Sequence, residues 1–404
     1  MSYVPPENPL DYDFTDEGYS APSNPLDFDF SPPVIPLDKS WVVGIEKIKT
    51  SFTGTSTSVT LTSVGGSGYD GYLIPFFTFS YSGVSTSVIS PFFTDVYFSG
   101  TPGNVSINFQ RGESGGTCYV TGYVIEVDIN EVTIQTGTFS ITHGGFGTTS
   151  SVTEVDTSKA FHIQYYKYAY GGSEYFYDAW TRTYFSSTTQ LTHDRGANHG
   201  TTNGHWYVIE DQGNNFDVQH ADPDINASTS GEDTISSVDM SKSFVVASHY
   251  NSYGARSAWR CGAAVWLKND TTVRAEQGAS STSIVRAQVI TLTDSDAYVE
   301  RGSQSYANGV GSDADTLSQS LDLDYSIAWI PTLASVQWVD TNDRNNAAFF
   351  RAELTGVDEI TTSRQATDTG AVVKWEAVQF QLPPPPPETV VFSGGIKMSN
   401  VIIK

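Results

Sequence analysis

The tetrapeptide Tyr123-Val124-Ile125-Glu126 recurs unchanged at Tyr207-Val208-Ile209-Glu210, 84 positions further along the chain. Two related segments, Gln288-Val289-Ile290 and Ala377-Val378-Gln379, occupy matching places later in the sequence. Each segment is a short apolar run of the kind that forms a buried strand. Because self-similarity at a fixed period marks a repeated structural unit, this strand predicts how the rest of the chain is organised.

Two further landmarks recur with the same period. An aspartate that opens an apolar strand stands at Asp70, Asp156, Asp239 and Asp322, with spacings of 86, 83 and 83 residues. An arginine precedes a turn at Arg111, Arg195 and Arg364, whereas the third copy has Glu276 at that spacing and Arg274 two positions earlier. The landmarks predict four degenerate copies of one unit, at 41–128, 129–212, 213–295 and 296–382, with merged pairs of copies as the alternative.

The composition favours β-structure throughout these copies. Only 16% of the residues are charged, while 22 Tyr, 22 Phe and 8 Trp supply large areas for burial. No amphipathic helical stretch of twelve or more residues is present in the sequence. We therefore expect an all-β fold of tandem small β-sandwich, jelly-roll-like modules preceded by an extended N-terminal arm. Each module is close to the lower size limit for a single core, so neighbouring modules are expected to stabilise one another.

The predicted arm, residues 1–40, contains one motif twice. Tyr3–Phe14 and Tyr19–Phe30 share the pattern Tyr-x-x-Pro-x-Asn-Pro-Leu-Asp-x-Asp-Phe with an offset of sixteen positions. Both copies begin with prolines, which favour an extended backbone, and end in alternating apolar and acidic residues. The predicted partner-docking residues are Tyr3, Leu10, Tyr12, Phe14, Tyr19, Leu26, Phe28 and Phe30. Such a short strand cannot bury its apolar face alone, so two adjacent docking strips on a tether are predicted.

Charge restricts the partners that this chain can have. The net charge of −24 argues against nucleic acid and against docking on anionic membranes. Eight carboxylates against one lysine in residues 1–40 favour a basic groove on the partner of the arm. The N-terminus has no signal-peptide pattern and no apolar run is long enough for membrane insertion, so synthesis in the cytoplasm and release by cell lysis are expected. Cys118 and Cys261 are expected to be free, buried thiols, with a disulfide as the alternative.

No catalytic, metal or cofactor site is predicted. His193, His199 and His205 lie close together in sequence, but their spacing on a Gly/Asn/Thr-rich segment favours a solvated hairpin loop over a metal site. Asp-x-Asp pairs occur at 222/224, 294/296, 313/315 and 322/324. These pairs are expected to form turns, with loop calcium as the alternative. No pair of carboxylates is distinguished as a glycosidase centre, so an enzyme is not expected.

A cluster of aromatic residues is the most unusual local feature of the predicted modules. Its members are Tyr165, Tyr166, Tyr168, Tyr170, Tyr175, Tyr177, Trp180 and Tyr184. Tyr166, Tyr168 and Tyr170 are not all expected to face inward, toward the core of one module. The favoured interpretation is a mixture of core and subunit interface, and the alternative is a stacking platform for a receptor or glycan.

Beyond the modules, Pro383–Pro387 predict a stiff spacer within the C-terminal segment 383–404, followed by one or two terminal strands. The last residues, Val401–Lys404, are apolar apart from the final lysine and are expected to pair with another strand.

The arm motif resembles the N-terminal repeats of tail and minor structural proteins of tailed bacteriophages. The segment Asp-x-Ser-Lys-x-Phe, followed by the closing Tyr-Val-Ile-Glu strand, is similar to repeat modules of phage and prophage virion proteins. The resemblance covers the arm well and the repeats loosely, and it carries no catalytic residues. It implies a virion component of the tail, baseplate or fibres, or a head decoration, whose arm binds another virion protein.

Two functions are therefore expected from the sequence. The first is a phage structural protein that contributes to particle assembly and host adsorption, as a homo-oligomer with a trimer favoured. The second is an array of carbohydrate-binding modules that recognises host surface glycans, with a protein receptor as a further option.

Overall fold

Strands form almost all of the regular structure in the computed structural model. The structure describes residues 40–68, 71–84, 89–169, 176–251, 261–332, 337–338, 348–367 and 370–380, together with the backbone of 390–391 and 397–398. The docking strips predicted in the arm, the landmark Asp70 and the aromatic residues Tyr170 and Tyr175 lie outside the described residues. From Ser40 onward the chain forms one compact unit.

Each repeat contains six strand positions, numbered first to sixth below. Module 1 comprises β1 (Val42–Phe52), β2 (Ser56–Thr60), β3 (Leu73–Ser82), β4 (Thr94–Thr101), β5 (Asn104–Arg111) and β6 (Thr117–Val127). Module 2 comprises β7 (Val132–Ile141), β8 (Gly147–Ser151), β9 (Ala160–Ala169), β10 (Thr181–Ser187), β11 (Gln190–Arg195) and β12 (Thr201–Asp211). Short helical turns at Ser90–Phe92 and Phe176–Ala179 follow the third strands of these two modules.

Module 3 comprises β13 (Phe216–Ala221), β14 (Ile225–Thr234), β15 (Ser243–Asn251), β16 (Ala264–Asn269) and β17 (Thr272–Leu292), which serves as both fifth and sixth strand. Module 4 comprises β18 (Tyr298–Tyr306), β19 (Ser312–Thr316), β20 (Ser326–Trp329), β21 (Gln337–Trp338), β22 (Arg351–Gly356), β23 (Glu359–Ser363) and β24 (Ala371–Gln379). A helical turn at Leu323–Tyr325 precedes β20, and β21 pairs with β24 in line with β20.

The same two antiparallel sheets recur in every module. One sheet has the strand order first-sixth-third and the other has the order second-fifth-fourth. In module 3 both sheets share β17, so they form one five-stranded sheet. The predicted all-β fold of tandem small sandwiches is therefore confirmed. Val390–Val391 and Lys397–Met398 form an additional antiparallel pair of short strands near the C-terminus. No helix in the described part of the chain is long and apolar enough to cross a membrane.

The recurring aspartate shapes the turn before the third strand. Asp156 Oδ1 accepts a hydrogen bond from the Ser158 backbone N at 2.9 Å, and Asp239 does the same with Ser241 at 2.9 Å. Asp322 Oδ1 accepts from the Asp324 backbone N at 3.0 Å. A carboxylate that bonds the backbone two residues later mimics a turn, so this landmark has a structural role. The hydrogen bond to Ser158 lowers the pKa of Asp156, and that to Ser241 lowers the pKa of Asp239.

The recurring arginine ties loops together within each sandwich. Arg111 is 1% exposed and donates to the carbonyl oxygens of Thr53 at 2.9 Å and Gly115 at 3.0 Å. Arg195 and Arg364 are equally buried and make corresponding bonds to loop carbonyls. In module 3 the equivalent residue is Gln277, whose Nε2 donates to Ser228 O and Ser281 O. Strand register identifies Gln277, and not Glu276, as the equivalent residue. Glu276 and Asp194 both pair with the fourth strand of their module, and Gln277 and Arg195 are the residues that follow them.

The four modules are arranged in a closed circle, because one position of the sixth strand always contacts the preceding module. We call each such contact between modules a seam. Tyr207 OH of module 2 donates to Val96 O of module 1 at 3.0 Å, and Gln288 of module 3 accepts from His162 N of module 2 at 2.8 Å. Glu376 of module 4 accepts from Val245 N of module 3 at 2.9 Å.

The circle closes between the last and first modules. The Leu354 backbone N of module 4 donates to Tyr123 OH of module 1 at 2.9 Å. Strand pairing shows that four residues of the sixth strands are equivalent: Tyr123, Tyr207, Gln288 and Glu376. In each module the first residue of the third strand pairs with a residue of the sixth strand, and the equivalent position lies three residues before that partner. The fourth copy is therefore displaced by one residue from the alignment made on sequence, which matched Ala377 to Tyr123.

Aromatic side chains from all four modules fill the centre of the circle. Phe76 of module 1 contacts Trp329 of module 4 at 5.1 Å and Phe244 of module 3 at 6.4 Å between ring centroids. Phe161 of module 2 contacts the same Phe244 at 6.4 Å. These rings belong to one continuous buried cluster. Since large aromatic rings contribute strongly to burial, this common core explains how such small sandwiches are stabilised.

Cys118 and Cys261 are both buried, and neither forms a disulfide within the described part of the chain, as predicted. Burial raises the pKa of the Cys118 thiol to about 12, so the thiol stays protonated and unreactive at neutral pH.

Candidate functional site: clefts at the seams

Within the described part of the chain, clefts built from equivalent positions lie at the seams between modules 2 and 3, 3 and 4, and 4 and 1. The position after the turn aspartate supplies Thr157, Met240 and Leu323, and the fourth strand supplies Phe185, Leu267 and Leu354. The first strand of the next module supplies His220, Arg301 and Lys47, and its sixth strand supplies Gln288, Glu376 and Tyr123. The clefts therefore share one scaffold and differ in their side chains, which is how repeat proteins diversify binding surfaces.

The cleft between modules 2 and 3 is the most spacious of these three, with a volume of about 500 Å³ against about 290 Å³ and about 370 Å³. Small-molecule pockets are typically of ~300–1,000 Å³. Its wall includes Tyr184 and Phe185 from β10 and the exposed His220 from β13. The hydroxyl-bearing turn Ser186–Thr188 forms an exposed rim. Apolar rings beside a small number of polar groups are typical of a ligand site.

Phe185 is the aromatic centre of this cleft. It is only partly buried, and it contacts the rings of His162 at 5.4 Å and His220 at 5.9 Å between centroids. The interplanar angles of 70° and 89° show that neither histidine lies parallel over the Phe185 ring. His162 lines the cleft, is 3% exposed, and its Nδ1 has no hydrogen-bond partner within the described part of the chain. Burial lowers the pKa of His162 well below its usual value, so the ring is neutral.

Asp222 and Arg286 form the polar pair of the same cleft. Arg286 Nε lies 3.0 Å from Asp222 Oδ1, and the side chains are 25% and 55% exposed. The Arg286 guanidinium also lies 5.4 Å from the centre of the Tyr184 ring, which holds it in place through a cation–π contact. Partial burial raises the pKa of Asp222, while Arg286 acts in the opposite direction. The pair contributes no net charge and retains solvent-facing donors and acceptors.

The cleft between modules 3 and 4 has a different character. Lys374 Nζ lies 4.6 Å from the centre of the Trp266 ring, and Arg274 lies 6.0 Å from the same centre. Arg274 is also paired with Glu276 at 2.5 Å, so its charge is largely compensated. Burial lowers the pKa of Lys374. This cleft is thus a cation–aromatic cluster with most of its charges already paired.

The aromatic cluster predicted from sequence lies mostly inside the molecule. Tyr165, Tyr166, Tyr168 and Trp180 are each 1% exposed or less. Tyr165 OH accepts from the Phe77 backbone N at 2.7 Å, so it binds module 2 to module 1. The interface they form is between modules of one chain, whereas an interface between subunits was expected. A stacking platform needs an exposed ring face, and these four side chains offer none.

The remaining described members of the cluster are more accessible. Tyr177 and Tyr184 are partly buried, and only Tyr184 lines one of the three clefts. The sequence therefore pointed to the right strand but not to Phe185, the neighbouring residue that forms the cleft wall. Comparison of the equivalent positions would not have revealed it, because modules 3 and 4 carry Leu267 and Leu354 there but module 1 also carries a phenylalanine, Phe98.

The three clustered histidines do not converge on one point. His193 is fully buried in β11, where Nδ1 lies 2.8 Å from Thr183 Oγ1 and Nε2 lies 3.0 Å from Ser150 Oγ. Burial lowers its pKa to about 3. His199 Nδ1 contacts Asp178 at 3.1 Å and His205 Nδ1 contacts Asp95 at 2.9 Å. The expectation of a solvated hairpin loop was wrong for His193 and His205, which lie in strands. No group of three metal-binding side chains occurs among the described residues.

The Asp-x-Asp pairs take local structural roles. Asp294 and Asp322 each accept a hydrogen bond from the backbone N two residues later, at 2.7 and 3.0 Å, as turn-forming aspartates do. Asp222 and Asp224 both face Arg286. Asp315 Oδ2 accepts from Trp375 Nε1 at 3.0 Å.

No family model, no curated protein and no solved structure matches this chain. The function is therefore inferred from the residues of the chain itself.

Proposed function

We propose that this chain is a structural protein of a bacteriophage virion, belonging to the tail, the baseplate or their fibres and contributing to host adsorption. Residues 1–40 anchor it to another virion protein, and the circle of modules is the part that projects. The observation that carries this proposal is the duplicated arm motif, Tyr3–Phe14 and Tyr19–Phe30. An extended strand with one apolar face gains affinity by pairing with an exposed sheet edge, and its aspartates limit wrong pairings.

The structure of the body, the modules from Ser40 onward, supports separate roles for the arm and the body. Each of the four seams is formed by residues from Ser40 onward on both sides, so no seam requires the arm as a missing strand. The aromatic core is likewise continuous through all four modules. A body that satisfies its own contacts leaves the two apolar rows of the arm available for a separate partner.

Two copies of the motif on one chain increase the strength of anchoring. Once one copy is bound, the second is held at high local concentration beside its own site, so the joint affinity exceeds either alone. A partner with a basic groove fits the net charge of −7 that the arm carries. Assembly as a homo-oligomer, with a trimer favoured, stays a prediction.

The test is to produce particles from a phage genome that encodes either the full chain or a chain lacking residues 1–31. Quantitative mass spectrometry of purified particles measures copies per particle, and circular dichroism of the purified truncated chain checks that it folds. We expect the truncation to abolish incorporation. Replacing Leu10, Tyr12 and Phe14 by serine should reduce incorporation partially, because the second motif remains.

A matched control replaces Asp11 and Asp13 by glutamate, which alters the same segment but keeps both its apolar row and its charge. That variant should enter particles at close to the normal copy number. Normal incorporation of the truncated chain, or absence of the full chain from the particles, would show that the proposal is wrong.

A second candidate function, recognition of a host surface glycan, is favoured by a specific observation. The cleft between modules 2 and 3 combines an accessible phenylalanine with paired polar side chains. Both functions are compatible in one adsorption protein.

A further inference from the structure

The cleft between modules 2 and 3 can be compared with equivalent clefts elsewhere in the same chain. Equivalent clefts occur at two other seams, built on the same strand positions but with different side chains. Where the other two have a buried leucine, Leu267 at 2% and Leu354 at 3% exposure, this cleft has the partly exposed Phe185. Module 1 also has a phenylalanine at this position, but Phe98 is buried at 7% exposure and packs against Tyr207, whereas solvent reaches the ring of Phe185.

The chemistry of the cleft matches a sugar ring. A pyranose has apolar faces made of C–H groups and a rim of hydroxyls, so it needs an aromatic surface flanked by planar polar groups. Phe185 supplies the surface, and neither neighbouring histidine lies parallel over it. Asp222 and Arg286, 3.0 Å apart, supply an acceptor and donors side by side, in an arrangement suited to two adjacent hydroxyls.

Charge selects among saccharides. The Asp222–Arg286 pair is neutral in sum, and Asp224 lies 3.5 Å from Arg286, so no uncompensated cation is offered to an acidic sugar. The whole chain carries a net charge of −24, which repels anionic glycans. The volume of about 500 Å³ suits one or two sugar rings and is too small for a folded partner.

A further polar group lines the cleft without a partner. The His162 side chain is 3% exposed, and its Nδ1 makes no hydrogen bond within the described part of the chain. Its backbone N and O are both bonded to Gln288, at 2.8 and 2.9 Å, which fixes the strand that carries it. Because an unsatisfied buried nitrogen costs free energy, a ligand hydroxyl or a water that reaches it is stabilising.

We propose that the cleft between modules 2 and 3 binds a neutral hexopyranose, with the sugar ring against Phe185 and His220 and two adjacent hydroxyls on Asp222 and Arg286. Tyr184 acts as a positioning residue, because its ring holds the Arg286 guanidinium. The site belongs to the body and does not depend on the arm, so the full chain and a chain lacking residues 1–31 bind alike. A failure of saccharide binding therefore leaves the anchoring role intact, and the reverse also holds.

The experiment measures saturation-transfer NMR between the purified full chain and three probes, the methyl pyranosides of glucose, galactose and mannose, each at about 10 mM, so that millimolar affinities are detected. Methyl glucuronide is the acidic control. We expect saturation transfer to at least one neutral probe and weaker transfer to the glucuronide.

Variants then locate the site. Phe185→Leu introduces the residue that the equivalent clefts carry, so folding is retained, and we expect at least tenfold weaker binding. Asp222→Asn should also weaken binding at least tenfold, because the amide is a poorer acceptor for sugar hydroxyls. Leu323→Ala, at the position equivalent to Thr157 in the cleft between modules 4 and 1, is the matched control and should bind as the unmodified chain does.

Thermal denaturation midpoints equal to that of the unmodified chain verify the fold of each variant. The proposal is overturned by the absence of transfer to all three neutral probes, by binding that Phe185→Leu leaves unchanged, or by a preference for the glucuronide.

Discussion

At two seams of the circle, the equivalent backbone N–H group donates a hydrogen bond to a different side chain. Between modules 2 and 3, the His162 backbone N donates to Gln288 Oε1 at 2.8 Å, and Gln288 Nε2 donates to His162 O at 2.9 Å. Between modules 3 and 4, the Val245 backbone N donates to Glu376 Oε2 at 2.9 Å. His162 and Val245 occupy the same position of the third strand. Both polar atoms of the Gln288 side-chain amide are hydrogen-bonded, whereas Glu376 Oε1 has no hydrogen-bond partner among the described residues.

This difference shows what a seam requires and what it tolerates. The backbone group to be satisfied is fixed, while its side-chain partner is Gln at one seam and Glu at the next. Burial raises the pKa of Glu376 to about 7, although Arg301, 3.7 Å away, acts in the opposite direction. A carboxyl that retains its proton provides a donor as an amide does, so the seam is best satisfied below neutral pH.

We expect the largest effect on the free energy of unfolding at the seam between modules 1 and 2, where the backbones of the two modules approach each other closely. A Cβ atom added to Gly112 would lie 1.7 Å from Tyr168 O and 2.7 Å from Tyr168 C. Gly112→Ala must therefore separate the two modules, and we expect a loss of about 3 kcal/mol or more in the free energy of unfolding. Urea denaturation of purified protein measures this loss.

Gly66→Ala is the matched control, because a Cβ at Gly66 meets nothing within 4 Å and its backbone does not require glycine. It should leave the urea midpoint almost unchanged. Equal effects of the two variants would contradict the view that backbone approach fixes the seams.

The sequence predicted the repeated unit because its landmarks are local. The turn aspartates bond a backbone group only two residues later, at Ser158 and Ser241, so the same short pattern is required wherever the turn recurs. The loop-binding arginine is equally recognisable, except in module 3, where Gln277 makes two of the same kind of bonds with a shorter side chain. Secondary structure and repetition could therefore be inferred from adjacent residues.

The circular arrangement could not be inferred in this way. The seam position is Tyr, Tyr, Gln and Glu in successive modules, and these side chains share only the ability to reach a backbone group next door. The interface that the aromatic cluster forms with module 1 could not be inferred either. Tyr165 and Tyr166 are consecutive and lie on opposite faces of β9, yet each is 1% exposed, because contacts with module 1 add to the core of module 2.

A second prediction concerns Arg301, the cation nearest to Glu376. Arg301 also donates a hydrogen bond to Ser243 O, and its side chain is 18% exposed. Arg301→Ala removes the charge that faces the buried carboxyl, so we expect a loss of about 3 kcal/mol in the free energy of unfolding at pH 8. The loss should be clearly smaller at pH 5, where Glu376 is protonated. Urea denaturation at both pH values measures the difference.

A double-mutant cycle with Glu376→Gln separates the charge interaction from the lost hydrogen bond to Ser243. In the Glu376→Gln background, Arg301→Ala should cost the same at pH 5 and pH 8. A cost that still increases with pH in that background would assign the effect to a different titrating group.

The third prediction exchanges the side chains of the two seams. The folded-state pKa of Glu376 lies above its ordinary value of 4.5, so the unfolded chain releases the proton first as pH rises. Stability from this group is therefore complete below about pH 4.5 and decreases as pH rises to about 7. Glu376→Gln should abolish that decrease and raise the free energy of unfolding at pH 8 by about 2 kcal/mol.

Gln288→Glu provides the reciprocal variant, because it places a carboxyl against His162 N and leaves Glu376 unchanged. It should add a second decrease in stability of the same sign as pH rises above about 4.5, because burial opposes the ionisation of a carboxyl at this position too, with Arg286 and His220 lining the cleft beside it. If Gln288→Glu were neutral at pH 8 while Glu376→Gln were stabilising, the two seams would not be interchangeable. The pH dependence would then come from Arg301 and the cation–aromatic cleft beside it and not from burial at the seam.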